Sequence, residues 1–478
     1  MAAKMRHFHY QNLGELQRGA KERGARHVRF EEDPNQIRRQ VSRPVDVGGF
    51  RVGNALAIHP MEGCDSTPDG RPDELTIRRY QRFAVGGAKL LWFEATAVRE
   101  DGRANPRQLW ITRDNVDDYA RLLEMIRCTH RERWGTADDL LEPMQLTHSG
   151  RYSFPKRAIV YHNPFIDKKS GTPPDYPVIS DDELERLEDD YVAAAGLGVE
   201  AGFRAIDIKV THGYLLSEMT GARTREGRYG GSLENRLRLI RNVIGKIRAA
   251  FGSRLLICMR LGCFDSVPYF RSPSTGLGIP CDYQTPYPYG FGVDANDPLR
   301  DDLTEVKRAI GEFREWGVSL INVSLGCPYY NPHVGRPFEK PDDGNYDPPE
   351  HPMLGVDRHF RIASELQRAF PDLPMVGTGY SWLQKYAINA GARNLADGNI
   401  AFLGIGRGAL AYPDFAADAL EKGDLDERRV CKTLTFCTYL MRQKHHPLGQ
   451  FPTGCPPFDK EGYGEIMKGA RLAQRQGH

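Results

Sequence analysis

The chain has 478 residues, 40% of them hydrophobic, enough to bury a sizeable core in one large domain or in two to three ordinary ones, which excludes a disordered chain. Its 65 Lys and Arg stand against 63 Asp and Glu, and a net charge of +2 carries no general attraction for nucleic acid or for an acidic membrane surface. No stretch reaches the roughly 18 to 20 apolar residues of a bilayer span, and the opening MAAKMRHFHYQNLG lacks the apolar middle of a secretory signal, so a cytoplasmic protein is expected. The nine cysteines are irregularly spaced and include no CxxC pair, which fits a reducing compartment and gives zinc-ribbon and thioredoxin chemistry no footing. GxxxxGK[ST], GxSxG and HExxH are also missing.

Residues 1–45 are polar and Arg-rich, but Glu31, Glu32 and Asp33 interrupt the basic run, so this part reads as an N-terminal extension lying on the surface. From about residue 53, short runs rich in Val, Ile and Leu alternate with longer segments of helical period. Candidate strands fall at 54–59, 89–95, 143–148, 204–210, 255–261, 318–325, 373–377 and 399–405. Helical patterns fall at 75–86, 114–133, 181–201, 232–250, 302–316, 357–369, 382–391 and 412–421, with Ser180, Ser232 and Ser381 placed as caps. Eight strand–helix repeats over 46–422 predict an α/β fold, a TIM (β/α)8 barrel, with an open doubly wound sheet as the alternative. Long loops follow strands five and six, at about 265–300 and 326–356. Their dense tyrosines favour a lid or substrate wall, and hence a hydrophobic or aromatic small molecule as substrate. Residues 423–478 read as a C-terminal tail packing on the barrel.

In a barrel, polar residues at the carboxyl ends of strands are the candidates for chemistry. That rule selects His59-Pro60-Met61-Glu62 after strand one, Gln145 and His148 on strand three, Lys209, His212 and Tyr214 on strand four, and Arg260 on strand five. They supply amide, imidazole, amine, phenol and guanidinium donors for an electron-rich ligand or a developing oxyanion. Each also has a structural reading: Gln145 as a helix cap, Arg260 paired with Asp207, His148 as a satisfied core histidine. Gly377-Thr378-Gly379 and Gly406-Arg407-Gly408 follow strands seven and eight, where barrels hold phosphate groups with backbone amides and a guanidinium. A phosphorylated ligand or cofactor follows.

The segments HGYLLSE and RYGGSLENRLRLIRNVI between 212 and 244, with HPMEG, QLTHSGR and the final GIGR in order, resemble the Old Yellow Enzyme family of FMN-dependent oxidoreductases. Within it, the likeness is to the barrels of the longer members akin to 2,4-dienoyl-CoA reductase and trimethylamine dehydrogenase. The resemblance implies FMN in the barrel mouth and NADH or NADPH as its reductant. Gln145 and Arg260 would meet the pyrimidine edge, Pro60, Met61, Glu62 and Ala95 would line the ring, and Gly377, Gly379, Gly406 and Arg407 would hold the phosphate. Lys209 and His212 would bind the substrate's carbonyl or nitro oxygen, and Tyr214 would donate the proton. The implied activity is hydride transfer between reduced flavin and an activated alkene, or the reverse as a dehydrogenase, desaturase or demethylase.

Three departures stand out. Lys209 takes the place of the usual His. Glu62 replaces the usual Cys or Thr and is a candidate partner for Lys209. Cys431, Cys437 and Cys455 lack the close spacing by which large relatives ligate a 4Fe–4S cluster, so no metal is expected. Two other readings remain: a Schiff-base lyase using Lys209, and a flavin binder closed by a Lys209–Glu62 salt bridge. A near-neutral surface is compatible with a monomer or a homodimer.

Overall fold

The computed structural model describes residues 7–339, 341, 345–443 and 445–476. Eight strands build it: β1 Leu56–Ile58, β2 in two pieces, Leu90–Leu91 and Phe93–Ala97, β3 Pro143–Thr147, β4 Ala205–Val210, β5 Leu256–Gly262, β6 Val318–Ser324, β7 Met375–Gly377 and β8 Phe402–Ile405. All neighbours pair in parallel, and β8 pairs with β1. The two outermost pieces of the sheet are the halves of β2 on either side of Trp92; Leu91 pairs with Ile58 and Phe93 with Met144, so the sheet closes into a barrel. Closure removes the doubly wound alternative. Every residue of β3 and β4 is buried, as expected where helices cover the outer face and side chains fill the inside.

The covering helices are α1 Glu74–Val85, α2 Val116–Trp134, α3 Asp181–Glu200, α4 Leu233–Phe251, α5 Thr304–Glu315, α6 Pro352–Ala369, α7 Ala387–Ala396 and α8 Phe415–Glu421. Ser180 and Ser232 do cap α3 and α4, accepting from Glu183 N and Asn235 N. Ser381 does not. It lies inside a 3-10 stretch, Tyr380–Tyr386, broken at Gln384 with φ 54°, and its Oγ accepts from Gly408 N at 3.3 Å. The hydroxyl expected to start a helix instead ties the turn after β7 to the turn after β8.

The amino end of the barrel is plugged by an antiparallel hairpin, Val45–Val47 with Phe50–Val52. Val47 and Val52 join Ala57, Leu90, Trp92, Ala205, Cys258, Leu320, Val376 and Phe402 in a small internal core. With that end sealed by apolar packing, the carboxyl end is left as the mouth. The loop after β5 carries a second antiparallel ribbon, Tyr269–Arg271 with Gly278–Pro280, and the loop after β6 contains the short helix Pro332–Gly335.

The N-terminal segment does more than lie on the surface. Its helices Leu13–Glu22 and Pro34–Val41 bury Leu16, Ile37 and Val41 in the main apolar core. The tail helices Phe436–Arg442 and Lys460–Gln476 share an apolar cluster of their own, Tyr439, Leu440, Phe451, Tyr463, Met467 and Ala470. Asp459 ahead of the last helix accepts from Arg78 of α1 at 2.6 Å and from Arg82, which anchors the tail to the barrel wall. Among the described residues no helix is long and apolar enough to cross a membrane. Truncating Ile37 to Ala should lower stability by about 2–5 kcal/mol, as for any core aliphatic; a denaturation midpoint equal to wild type would mean that the segment is only laid on the surface.

Candidate active site

Asp207 on β4 is fully buried inside the barrel and organises its floor. Its Oδ2 accepts from Trp92 Nε1 at 2.8 Å and from Gln145 Nε2 at 2.5 Å, and its Oδ1 accepts from the Arg260 main-chain N–H at 2.7 Å. Burial pushes its pKa up to about 6 against the pull of these donors. The expected Asp207–Arg260 pair thus runs through the backbone. The Arg260 guanidinium is left to make one long contact, Nη1 to Pro60 O at 3.4 Å, and its buried Nε has no partner. Burial draws its pKa down to about 10 while Asp207 opposes. His148 is a core residue: its Nδ1 accepts from Gly150 N at 3.1 Å, and burial lowers its pKa to about 4.

The loop after β1 is pinned from below by a buried ion-pair network. Gly63 N donates to Glu94 Oε2 at 2.7 Å, and the Arg79 guanidinium bridges Glu94 and Asp65, with both carboxylates and the arginine buried. This places Met61 and Glu62 at the mouth. Glu62 Oε1 accepts from Asn105 Nδ2 at 3.1 Å and its Oε2 accepts from the Tyr214 hydroxyl at 3.4 Å. Burial raises its pKa and the nearby Lys209 charge opposes. Ala95 is buried within β2, its carbonyl held by Gln108 Nε2 at 3.2 Å.

The strand-four residues meet here. His212 (φ 68°) and Gly213 (φ 70°) are consecutive left-handed residues, an uncommon conformation outside glycine, and they turn the chain sharply after β4. Lys209 Nζ stands 3.7 Å from the centroid of the Tyr214 ring. It forms no salt bridge with Glu62, so the closed pocket considered above is not what the fold builds. Burial draws the Lys209 pKa down to about 8; Glu62 resists the shift and Arg260 adds to it. Burial, with the charges of Arg260 and Lys209, keeps His212 far below the usual histidine pKa and therefore neutral. Tyr214 also shares a hydrogen bond with Tyr329, 3.1 Å between hydroxyl oxygens, and Tyr329 stacks on Tyr152 with ring centroids 3.8 Å apart. Tyr329, Tyr152 and Asn105 were missed from the sequence. Tyr329 lies in the aromatic loop after β6 and Tyr152 directly follows QLTHSGR, both visible signals, whereas nothing in the sequence marks Asn105.

At the far side of the mouth, Gly379 (φ 93°) and Gly406 each lead into a short helical turn with no side-chain cap. A Cβ on Gly379 would stand 2.9 Å from His359, one on Gly377 2.8 Å from Ile400, and one on Gly406 3.2 Å from Met61 Sδ. Glycine is what allows the approach at 377 and 379, the latter also at positive φ, while at 406 Met61 would have to give way slightly. Arg407 Nη2 donates to Pro337 O at 2.8 Å, and its buried Nη1 has no partner.

Lys209, Arg260 and Arg407 bring cationic groups to a mouth where Glu62 is the acidic member. Buried donors without acceptors are costly, and the orphaned Arg260 Nε and Arg407 Nη1 are positioned for an anionic ligand. These residues fit FMN: a guanidinium for the pyrimidine edge, glycine turns and a second guanidinium for the phosphate. Cys431, Cys437 and Cys455 lie within electrostatic reach of one another, but among the described residues no group of three or more His, Cys, Asp or Glu side chains is arranged to hold a metal ion.

Residues 40–269 match the model of the NADH:flavin oxidoreductase / NADH oxidase family. An NADPH dehydrogenase of Geobacillus sp. (strain WCH70) is 28% identical over 292 residues, 56% of this chain and 82% of that enzyme. The fold is similar to that of an Old Yellow Enzyme homologue from Zymomonas mobilis (TM-score 0.55, 20% identity, 83% of this chain and 96% of that one). It is also similar to 2-naphthoyl-CoA reductase (TM-score 0.60, 17% identity, 84% of this chain), of whose longer chain it spans 55%. A closed barrel with a set of donors suited to FMN at its mouth, in a chain similar to this family through the first five strands, is that of an FMN-dependent NAD(P)H oxidoreductase.

Proposed function

We propose that the protein reduces the carbon–carbon double bond of an α,β-unsaturated carbonyl compound with electrons from NADH or NADPH. The observation that carries this reading is the cluster of Lys209, His212 and Tyr214: two groups able to meet one oxygen, beside a phenol hydrogen-bonded to Glu62 and Tyr329. FMN bound in the mouth would supply two-electron storage between the nicotinamide and the substrate.

The chain's own residues do the rest. Lys209 and His212 hold the carbonyl oxygen, and as hydride reaches the β-carbon, negative charge grows on that oxygen, where donors already in place lower the barrier. Neutral His212 donates through one ring N–H, while Lys209 adds charge. Tyr214 gives its hydroxyl proton to the α-carbon. The hydrogen bonds to Glu62 and Tyr329 aim that hydroxyl and connect it to groups able to return the proton. The Tyr152–Tyr329 stack forms an aromatic wall that excludes water and favours a flat, apolar substrate. Gln145, held by Asp207, and Arg260 would set the cofactor's pyrimidine edge, Pro60, Met61, Glu62 and Ala95 would line its ring, and Gly377, Gly379, Gly406 and Arg407 would take its phosphate. The reverse direction, desaturation of a saturated carbonyl compound, uses the same residues with Tyr214 as the base.

The test is an absorption spectrum of the purified protein through anaerobic addition of NADPH or NADH and then of an enone. Flavin colour that bleaches with the nicotinamide and returns with the enone supports the reading; a colourless protein that takes up no FMN removes it. Tyr214→Phe should slow colour return by about 10²–10⁴-fold, the usual worth of a positioned proton donor, while flavin bleaching by the nicotinamide keeps its rate. Arg407→Ala should weaken FMN retention by roughly 10- to 100-fold, corresponding to about 1.5–3 kcal/mol for a hydrogen bond to a charged group, measured by fluorescence titration of apoprotein with FMN.

A further inference from the structure

Two lysines are buried among the described residues, Lys89 and Lys209. Lys89 is neutralised by Asp139 at 2.6 Å and donates to Thr136 O, as a buried ammonium requires. Lys209 has neither an ion pair nor a hydrogen bond; the contact it makes is with the π face of Tyr214. Around it stand a carboxyl group on Glu62 and the Tyr214 hydroxyl bonded to that carboxyl. An amine held in a substrate pocket without a counter-ion, beside two proton carriers, is the arrangement in which lysine acts as a nucleophile toward carbonyl compounds.

We propose that Lys209 forms a covalent imine with aldehyde or ketone substrates, so that the alkene is reduced as an α,β-unsaturated iminium rather than as a free carbonyl compound held by hydrogen bonds. This rests on the reading of the mouth as a carbonyl site and changes what happens there. The neutral amine adds to the carbonyl carbon to give a carbinolamine. A proton from Glu62 or Tyr214 lets its hydroxyl leave as water, and the Nζ lone pair forms the C=N bond.

The iminium keeps its positive charge over the Tyr214 ring face, where the ammonium now sits at 3.7 Å. Hydride, two electrons that originate in NADH or NADPH, adds at the β-carbon and gives a neutral enamine. Proton transfer from Tyr214 to the α-carbon restores a saturated iminium. Water then adds at its carbon and displaces the amine, releasing the saturated carbonyl compound and free Lys209. One hydride and one proton are consumed, and the water lost on attachment is regained on release. Burial supports the first step, because it lowers the Lys209 pKa to about 8. Below that value the neutral amine gains about tenfold per pH unit.

The test uses FMN-loaded protein, cinnamaldehyde as the probe and cyanoborohydride as the trap, read by intact mass and peptide mapping. The expected result is one reduced adduct on Lys209, formed about tenfold faster at pH 7 than at pH 6 and levelling above about pH 8. It should be absent from Lys209→Arg, which keeps the charge and cannot form the imine. Glu62→Gln should keep the adduct site and slow its formation by roughly 10²-fold. Label confined to surface lysines, or equal labelling of Lys209→Arg, overturns the inference. Alkene reduction by wild type without trapping at Lys209 does so too and leaves the proposed function standing. Trapping at Lys209 in a protein that reduces no alkene keeps the imine and removes the proposed function.

Discussion

The site depends on one buried carboxylate. Asp207 sits where the β2, β3, β4 and β5 strands face one another, and it holds the indole of Trp92, the amide of Gln145 and the main chain at Arg260. A carboxylate in a barrel interior is tolerated only when its oxygens are satisfied, and here the donors that satisfy it come from three neighbouring strands. Satisfaction of Asp207 and orientation of Gln145 are therefore the same event. The Arg260 guanidinium is left short of partners because Asp207 takes its main-chain N–H, and that shortage readies it for an anionic ligand.

A second buried ion network stands on the other side of the mouth. Arg79 between Asp65 and Glu94 is a structural device that serves the loop carrying Met61 and Glu62. One arginine faces two carboxylates there, and burial raises the Glu94 pKa to about 7 against the pull of Arg79. Lys209 is the contrast: buried, cationic and unpaired, with the Tyr214 ring as its support. The Asp65 and Glu94 carboxylates are locked by ion pairs, whereas Lys209 is held by a ring face alone.

The peripheral segments serve the same end. The floor hairpin seals the amino end with apolar side chains, the N-terminal helices add Ile37 and Val41 to the core, and the tail reaches α1 through Asp459. The loop after β6 delivers Tyr329, whose hydroxyl meets Tyr214 and whose ring stacks on Tyr152. The stacked pair thus joins the loop after β3, which carries Tyr152, to the loop after β6.

The linear pattern determined the barrel, because strand burial on both faces and the helical period between strands are local properties of composition. It also marked the strand ends that carry Lys209, His212, Tyr214, Gln145, Arg260 and the two glycine turns, since in a barrel these ends share one mouth. Ser180 and Ser232 were legible as caps for the same local reason. Tertiary structure decided what spacing cannot encode. Glu62 and Lys209 look like a salt bridge in the sequence, yet Glu62 is turned to Asn105 and Tyr214 by the Arg79 network while Lys209 lies on a ring face. Asp207 binds Arg260 through the backbone because β4 and β5 pair in the register that sets Lys209 opposite Arg260. Ser381 became a tie between two turns once closure brought β8 beside β7. In each case the partner lies far away in the chain, and only packing selects among the partners that the chemistry allows.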